Sequence, residues 1–167
     1  MAEKVMTEKE MFLQTWENEF QTTLKVLKAY PAAKADYKPA EKSRTAKELA
    51  WTFVMEEGVL DGAIKGNIDM SVPMPPPPAS FADVISAFEK SHREMVDKVK
   101  RMPDSDLDKP IAFPVGPKQM GQVRKGQVCW TMLMDSIHHR GQLSVYMRLV
   151  GAKVPSIYGP TADEPWM

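Results

Sequence analysis

One helix-starting pattern occurs three times in the chain, and it constrains the fold more than any other feature. A Ser or Thr that can cap a helix is followed three residues later by an acidic residue and then by apolar residues at helical spacing. Such a pair satisfies free backbone N–H groups of a first helical turn, so each copy predicts the N-terminus of an amphipathic helix. The pairs are Thr7 with Glu10, Thr45 with Glu48, and Ser80 with Asp83.

A fourth helical segment runs from about Val128 to Val150, with Gly151 as its expected cap. Strand-like alternation is scarce, and only Pro110 to Val115 is a candidate for extended structure. The sequence therefore predicts an all-α fold of four helices in one domain that spans residues 1–167. The expected helices cover about 7–30, 45–65, 80–102 and 128–150, and a coil tail covers 151–167.

The connection between the second and third predicted helices contains a run of four prolines, Pro75 to Pro78. Consecutive prolines are stiff and extended, with about 3.1 Å per residue. The segment from Asn67 to Ala79 can therefore span most of the length of a helix. This would let the second and third helices run parallel, which is a known variant of four-helix bundles.

Composition argues against several classes of protein. The 22 basic and 22 acidic residues cancel, which disfavours a dedicated nucleic-acid binder. No apolar run approaches the roughly 20 residues that cross a bilayer. The N-terminal residues lack the hydrophobic region of a signal peptide, and the lone Cys129 cannot form an internal disulfide. We therefore expect a cytoplasmic protein without nucleic-acid or membrane partners.

The segment His138-His139-Arg140-Gly141-Gln142 carries two of the three histidines. Asp135 lies four residues before His139, so both share one helix face and can point at a common target. A carboxylate and an imidazole on one target are typical of a metal site or an acid–base pair. His138 lies about 100° around the helix from His139 and is expected at a helix or dimer contact.

Four further expectations concern structure. His92 lies on the apolar stripe of the third helix and is expected to be a core or boundary residue. Arg140 is expected to anchor the tail or to pair across the helices. Gly141 costs a helix about 1 kcal/mol relative to alanine, so it indicates a close contact with the tail or a neighbouring helix. The expected anchors of the tail are Ile157, Tyr158 and Trp166.

Three segments carry a family resemblance: Ile137-His-His-Arg-Gly-Gln-Leu-Ser-Val-Tyr-Met-Arg-Leu-Val-Gly151, Val154-Pro-Ser-Ile-Tyr-Gly-Pro-Thr-Ala-Asp-Glu164 and Arg44-Thr-Ala-Lys-Glu-Leu-Ala-Trp-Thr-Phe-Val-Met-Glu-Glu57. They resemble the DinB (DinB/YfiT-like) family. The resemblance implies a four-helix bundle in up-down-down-up order that is often homodimeric. It also implies a divalent metal, Zn or Ni, bound by three histidines, and relatives that include thiol transferases and isomerases.

The chain departs from the histidine set of the family at two of three positions. His139 matches the histidine before Arg-Gly-Gln, but Asp135 stands four residues earlier, and Thr52 (Trp51 in a register shifted by one) stands at the position in the second helix. Asp135 and His139 can still bind a metal with Glu56, one turn beyond Thr52, as a third ligand. Alternatively, Asp135 and His139 form a hydrogen-bonded pair without a metal.

Two functional hypotheses follow. The first is a DinB-like protein with a degenerate divalent-metal site and no catalytic activity. The second is a metal-dependent thiol S-transferase or hydrolase in which Asp135, His139 and Glu56 hold the ion that activates a thiol or water. The expected pocket residues are Thr52, Trp51 and Tyr146, and the expected partners are a small-molecule or thiol substrate and a second copy of the chain.

Overall fold

The computed structural model describes residues 5–69 and 71–167. It contains four helices, two short 3-10 helices (Ala32–Lys34 and Asp104–Asp108) and one β-hairpin. None of the helices in the described ranges is long and apolar enough to cross a bilayer. The main elements are α1 (Glu8–Ala29), α2 (Ala46–Lys65), α3 (Phe81–Arg101), β1 (Pro110–Gly116), β2 (Gln119–Arg124) and α4 (Lys125–Leu149).

The predicted helix starts are confirmed. The Thr7 side chain accepts a hydrogen bond from the backbone N–H of Glu10, and the Glu10 carboxylate accepts one from the backbone N–H of Thr7. Thr45 and Glu48 form the same reciprocal pair at the start of α2, and Ser80 caps α3. These bonds satisfy backbone donors that have no partner within the helix. Local chemistry therefore fixes where three of the four helices begin.

The all-α prediction is wrong in one place. β1 and β2 form an antiparallel pair in which Pro110 lies opposite Arg124 and Ile111 lies opposite Val123. The predicted extended segment is β1, whereas β2 was missed because most of its side chains are exposed or half-buried and show no apolar alternation. The fourth helix also begins three residues before Val128, at Lys125. The Lys125 side chain is buried and donates to the carbonyl of Ile64, so apolar spacing does not reveal it.

Contacts between helices place α2 between α3 and α4. Glu57 and Asp61 of α2 reach His92 and Lys98 of α3, so residue numbers rise together along these two helices. Against α4, the order is reversed. Glu56 lies beside His139, and Ile64, farther along α2, lies beside Lys125. The largest apolar cluster contains residues from all four helices, including Leu27, Phe53, Phe88 and Leu143.

The tail packs back onto α1 and α4 through Arg140, which is 1% exposed. A guanidinium nitrogen lies 2.6 Å from a carboxylate oxygen of Glu19. The guanidinium also lies 5.1 Å from the ring centroid of Tyr158 and donates to its hydroxyl. The expected tail anchor at Arg140 is confirmed. The close contact expected at Gly141 is wrong, because no described atom outside its own turn of helix lies within 4 Å of the place where a Cβ would stand.

Candidate functional site

Helices α2 and α4 bring three potential metal ligands together. One ligand atom each of Glu56, Asp135 and His139 lies within 4.8 Å of the other two, and we call these residues the carboxylate–histidine cluster. His139 Nδ1 lies 2.8 Å from Glu56 Oε1 and 3.8 Å from Asp135 Oδ1. The hydrogen-bond partner of His139 is therefore Glu56 and not Asp135, since 3.8 Å is too long for a hydrogen bond.

Glu56 is buried, and neighbouring donors hold its carboxylate in place. Oε1 meets the His139 ring, and Oε2 accepts a hydrogen bond from the hydroxyl of Ser136. Burial raises the pKa of the Glu56 carboxyl, and the two hydrogen bonds and the charge of His139 only partly oppose this effect. The nearby Asp135 carboxylate raises this pKa further. Two acidic groups at one partly desolvated place favour a positive charge between them.

The pKa of His139 is raised like that of Glu56, but for the opposite reason. The hydrogen bond that His139 donates to Glu56 raises the pKa of the imidazole, burial opposes this shift, and the charges of Glu56 and Asp135 add to it. The positive charge of Arg44 lowers this pKa. His139 therefore holds a proton more strongly than an ordinary histidine as long as no cation takes its place.

A cavity of about 500 Å³ opens beside His139. We call it the His139 cavity. Its wall includes Arg44 from the loop before α2, Leu49 from α2, and Gln142 and Tyr146 from α4. Tyr146 OH donates to the backbone carbonyl of Arg44 over 3.1 Å. The cavity has the size and the mixed polar and apolar lining of a small-molecule site.

The three predicted pocket residues, Thr52, Trp51 and Tyr146, do not line one common pocket. Tyr146 lines the His139 cavity, as described. Thr52 is buried, accepts a hydrogen bond from Arg44 and donates to the carbonyl of Glu48, so it does not offer a ligand to the cluster. Trp51 lies on another side of α2, where its indole N–H donates to the carbonyl of Pro75 in the proline-rich connection. Trp51 lines a separate depression there.

A model of the DinB family matches residues 1–166. The chain belongs to the DinB family. It is 28% identical to the uncharacterized protein YrdA of Bacillus subtilis (strain 168) in an alignment of 158 positions that covers 92% of this chain and 89% of YrdA. Among solved structures it is similar to a DinB-like protein from Bacillus cereus ATCC 10987. The TM-score is 0.74 and the identity 25%, over 88% of this chain and 95% of that chain.

A more distant structural neighbour is the colibactin self-resistance protein ClbS, solved in complex with a dsDNA. The TM-score is 0.60 and the identity 11%, over 87% of this chain and 98% of that chain, so the likeness shows the fold alone. The DNA complex is a finding about ClbS, and it does not fit an expectation that proteins of this fold bind no nucleic acid. For this DinB protein, the absence of a nucleic-acid partner stays a prediction.

Two residues of the site were not predicted from the sequence of this DinB protein. Arg44 precedes α2 in a loop, where no periodicity relates it to α4. Ser136 of α4 donates to Glu56 of α2, a contact between residues far apart in the sequence. Only the i and i+3 spacing of Ser136 and His139 on α4 offered a signal, since such residues share a face.

The two other histidines of this DinB protein lie outside the cluster. His138 is exposed, and its ring lies 2.9 Å from the side-chain nitrogen of Gln142. His92 is buried, as expected, with Nδ1 3.0 Å from Glu57 Oε1. The second carboxylate oxygen of Glu57 is buried and has no hydrogen-bond partner among the described residues. Cys129 is buried too, and burial raises the pKa of its thiol to about 12, so it is no ready thiolate nucleophile.

Proposed function

We propose that Glu56, Asp135 and His139 bind a divalent cation and that the protein uses it to activate a thiol or a water molecule for group transfer or hydrolysis. The observation that carries this proposal is the cluster of three ligand atoms within 4.8 Å of one another, on two helices, beside a cavity large enough for a small substrate. The cavity gives the open side that a catalytic metal site needs.

The residues of the cluster fit a divalent cation chemically. One imidazole nitrogen and two carboxylate oxygens are ligands that zinc accepts in catalytic sites, where three protein ligands leave a position for water or substrate. The two carboxylates approach each other at a partly buried place, and a divalent cation would balance both charges. His139 would exchange its hydrogen bond with Glu56 for a bond to the cation.

The chemistry of such a site follows from the cation and its surroundings. A bound divalent cation lowers the pKa of a coordinated water or thiol and so supplies a nucleophile near neutral pH. Ser136 holds the free oxygen of Glu56 and thereby orients its carboxylate. Orientation of a ligand by a second group is a common means of tuning metal sites. Leu49 and Tyr146 in the cavity wall exclude part of the bulk water from the reacting groups.

The competing function is a binding protein of DinB fold that has no metal and no catalytic activity. The hydrogen bond of 2.8 Å between Glu56 and His139 favours it, since this bond satisfies both groups without an ion. Asp135 and Thr52 at two expected histidine positions favour it as well. Of the two functions, the metal site accounts better for Asp135, which has no hydrogen bond to His139 and yet lies within the cluster.

Metal analysis separates the two functions. Protein purified without a histidine tag is dialysed against Zn²⁺ or Ni²⁺ and then against metal-free buffer, and its metal is measured by elemental analysis. We expect near-stoichiometric metal in the wild type, and a loss of most of it in Glu56→Gln, Asp135→Asn and His139→Gln. His138→Gln is the matched control, because it changes the adjacent, exposed histidine. Wild-type protein without metal, or equal loss in His138→Gln, would contradict the proposal.

We infer that the four helices form the up-down-down-up bundle implied by the family. The contacts that support this order pair rising residue numbers of α2 with rising numbers of α3, and rising numbers of α2 with falling numbers of α4. The contacts of α1 pair its rising residue numbers with falling numbers of α3, so these two helices run antiparallel. Trp16 and Phe20 pack on His92, whereas Tyr30 packs on Phe81 at the other end of α3. Helices α2 and α3 then run in the same direction.

We also infer a homodimer through the outward face of α4. Met134, Val145 and Leu149 lie on this face and are 59%, 57% and 54% exposed. His138 and Gly141 lie in the same row, and the open space over Gly141 would let a second backbone approach closely. We expect light scattering to give a dimer for the wild type and a monomer for Leu149→Glu. A monomeric wild type would contradict the inference.

A further inference from the structure

Arg44 stands in the wall of the His139 cavity with its guanidinium held in place. One of its terminal nitrogens, Nη1, donates to the Thr52 hydroxyl over 2.9 Å. Its backbone carbonyl accepts the hydrogen bond from Tyr146 described above. Contacts to α2 and α4 thus fix both ends of the residue. A long side chain that is fixed before a ligand arrives loses less freedom when the ligand binds.

The guanidinium of Arg44 forms no ion pair within 4 Å of a carboxylate among the described residues, although its charge lowers the pKa of Glu48. Arg124, Arg140 and Arg148 each form an ion pair with a carboxylate, but no such pair involves Arg44. Of the guanidinium nitrogens, only Nη1 has a hydrogen-bond partner in the described part of the chain. Arg44 is exposed and lines the cavity, so this leaves a positive charge with unused donors at the cavity wall. A guanidinium presents its donors as a planar fork that matches a carboxylate.

The charge of the cavity supports an anionic ligand when the cluster holds a cation. The charges of Glu56 and Asp135 balance a divalent cation, and a coordinating His139 is neutral. The charge of Arg44 then meets no carboxylate among the residues that line the cavity. Arg44 is the one Lys or Arg among the residues that line the cavity. A single fixed guanidinium suits one carboxylate group better than the higher charge of a phosphate monoester.

We propose that Arg44 binds a carboxylate group of the substrate and thereby directs a thiol or ester group of the same molecule to the carboxylate–histidine cluster. This inference rests on the proposed function for the reaction, whereas the carboxylate subsite itself can be tested without a metal. It assigns the substrate class as a small molecule that carries both a carboxylate and a group able to reach His139. Arg44 is then a residue that determines specificity.

The test compares two thiols that differ in the carboxylate. Mercaptoacetate and 2-mercaptoethanol are titrated into zinc-loaded protein, and the dissociation constants are measured from amide chemical shifts in NMR spectra. For each protein we take the ratio of the two dissociation constants. Comparing this ratio between variants cancels the contribution of the thiol group, which both ligands carry. We expect the preference for mercaptoacetate to fall about tenfold or more in Arg44→Gln, because the carboxylate loses a charge-assisted hydrogen bond. Arg44→Lys should retain part of the preference, since it keeps the charge without the fork.

Lys42→Gln is the matched control. It removes a positive charge two residues away that lines the neighbouring depression and not the His139 cavity. We expect the preference for mercaptoacetate to be unchanged in this variant. The same preference in wild type and Arg44→Gln would overturn the inference, and so would an equal loss in Lys42→Gln. Thermal unfolding of each variant shows whether the fold is kept, and the retention of 2-mercaptoethanol binding shows that the metal site is intact.

A second series without metal separates this inference from the proposed function. Succinate and inorganic phosphate are titrated into metal-free wild type and Arg44→Gln. Succinate binding that depends on Arg44 supports the carboxylate subsite, even if elemental analysis finds no metal and the proposed function fails. Tighter binding of phosphate than of succinate would overturn the carboxylate assignment. Metal uptake without any effect of Arg44→Gln in either series would leave the proposed function standing and overturn the inference.

Discussion

Two consecutive glutamates of α2 each meet a histidine, and the two pairs behave differently. Glu56 lies 2.8 Å from His139 of α4 at the edge of a cavity, whereas Glu57 lies 3.0 Å from His92 of α3 inside the protein. The side chain of His139 is 13% exposed and that of His92 is 5% exposed. The two pairs have the same chemical groups at nearly the same distance, so the surroundings account for the difference between them.

Burial makes the inner pair neutral. It raises the pKa of the Glu57 carboxyl well above its ordinary value, and the charge of Glu56 adds to this shift. Burial also lowers the pKa of His92 to about 4, and the charge of Lys100 contributes to this lowering. The His92 ring stacks on Phe20 with centroids 3.8 Å apart. We therefore assign a protonated Glu57 that donates to an uncharged His92.

The histidine of the outer pair is stabilised in its charged form instead. The pKa of His139 is raised by Glu56 and by Asp135, so its imidazolium is stabilised while no cation is bound. Because consecutive residues of a helix point about 100° apart, α2 directs the Glu56 carboxylate toward His139 and the Glu57 carboxylate into the core. The comparison indicates that a Glu–His contact becomes a candidate reactive site only where the pair can remain ionised.

Removal of each histidine should separate the two pairs most strongly. We expect His92→Ala to lower the free energy of unfolding by about 3 to 4 kcal/mol, because it leaves a cavity among aromatic rings and a buried carboxyl without its partner. For His139→Ala we expect a loss of about 1 kcal/mol, since Glu56 keeps its bond from Ser136. Urea unfolding of the metal-free variants measures both losses, and equal losses would refute the distinction.

The Glu57→Gln variant should change how stability depends on pH. The pKa of Glu57 is higher in the folded protein than its value near 4.5 in the unfolded chain. The resulting stabilisation of the fold is complete at pH values below 4.5 and is lost as the pH rises through the folded pKa. Gln stays neutral and keeps a hydrogen bond to His92. We therefore expect the variant to gain stability relative to the wild type progressively from pH 5 to pH 8. Thermal unfolding across this range tests it, and a constant difference would contradict the neutral pair.

The pKa values of the two histidines should be shifted in opposite directions from the ordinary value. In metal-free protein, NMR spectra of the imidazole rings should give His92 a pKa near 4 and His139 a pKa above its ordinary 6.5. The raised pKa of His139 stabilises the folded protein at pH values below 6.5, and this stabilisation is lost as the pH rises through the folded pKa. Glu56→Gln should lower the pKa of His139 and leave that of His92 unchanged. An unshifted His139 in this variant would show that Glu56 is not its main partner.

Ser136→Ala should have a small effect on stability, no larger than that of His139→Ala. It removes one hydrogen bond to the buried Glu56 carboxylate, and we expect a loss of about 1 kcal/mol of unfolding free energy. The pKa of Glu56 should rise further, because this hydrogen bond opposes the effect of burial. Ser144→Ala serves as control, since its hydroxyl bonds only a carbonyl of its own helix. A similar loss in both variants would mean that the bond to Glu56 has no special role.

The helices were predictable from the sequence because their ends depend on local chemistry. The Thr7 and Thr45 capping boxes formed as expected, and α2 ends at Gly66, whose φ of +82° suits glycine. The strand β2 was not predictable, because its two apolar residues, Met120 and Val123, do not alternate with polar ones and its pairing depends on β1. Local signals therefore sufficed for helices, and the hairpin required knowledge of the partner strand.

The site was predictable only in part. Spacing along α4 placed Asp135 and His139 on one face, and family register led from Thr52 to Glu56 one turn later. The hydrogen bond that joins Glu56 to His139 connects residues 83 positions apart, so no local pattern contains it. The same holds for Glu57 with His92, and for Arg44 with the cavity. These contacts depend on how the helices pack, which the sequence pattern does not specify at the level of single atoms.

Arg140 and His139 are neighbours in the chain with separate tasks, and this has a consequence for how such proteins change over evolutionary time. Arg140 is turned toward Glu19 and Tyr158 and holds the tail, whereas His139 faces Glu56. Mutations at position 135 or 52 can alter the ligand set without disturbing the anchor of the tail. Under the proposed function, a few substitutions could therefore change the ligand set while Arg140 still holds the tail.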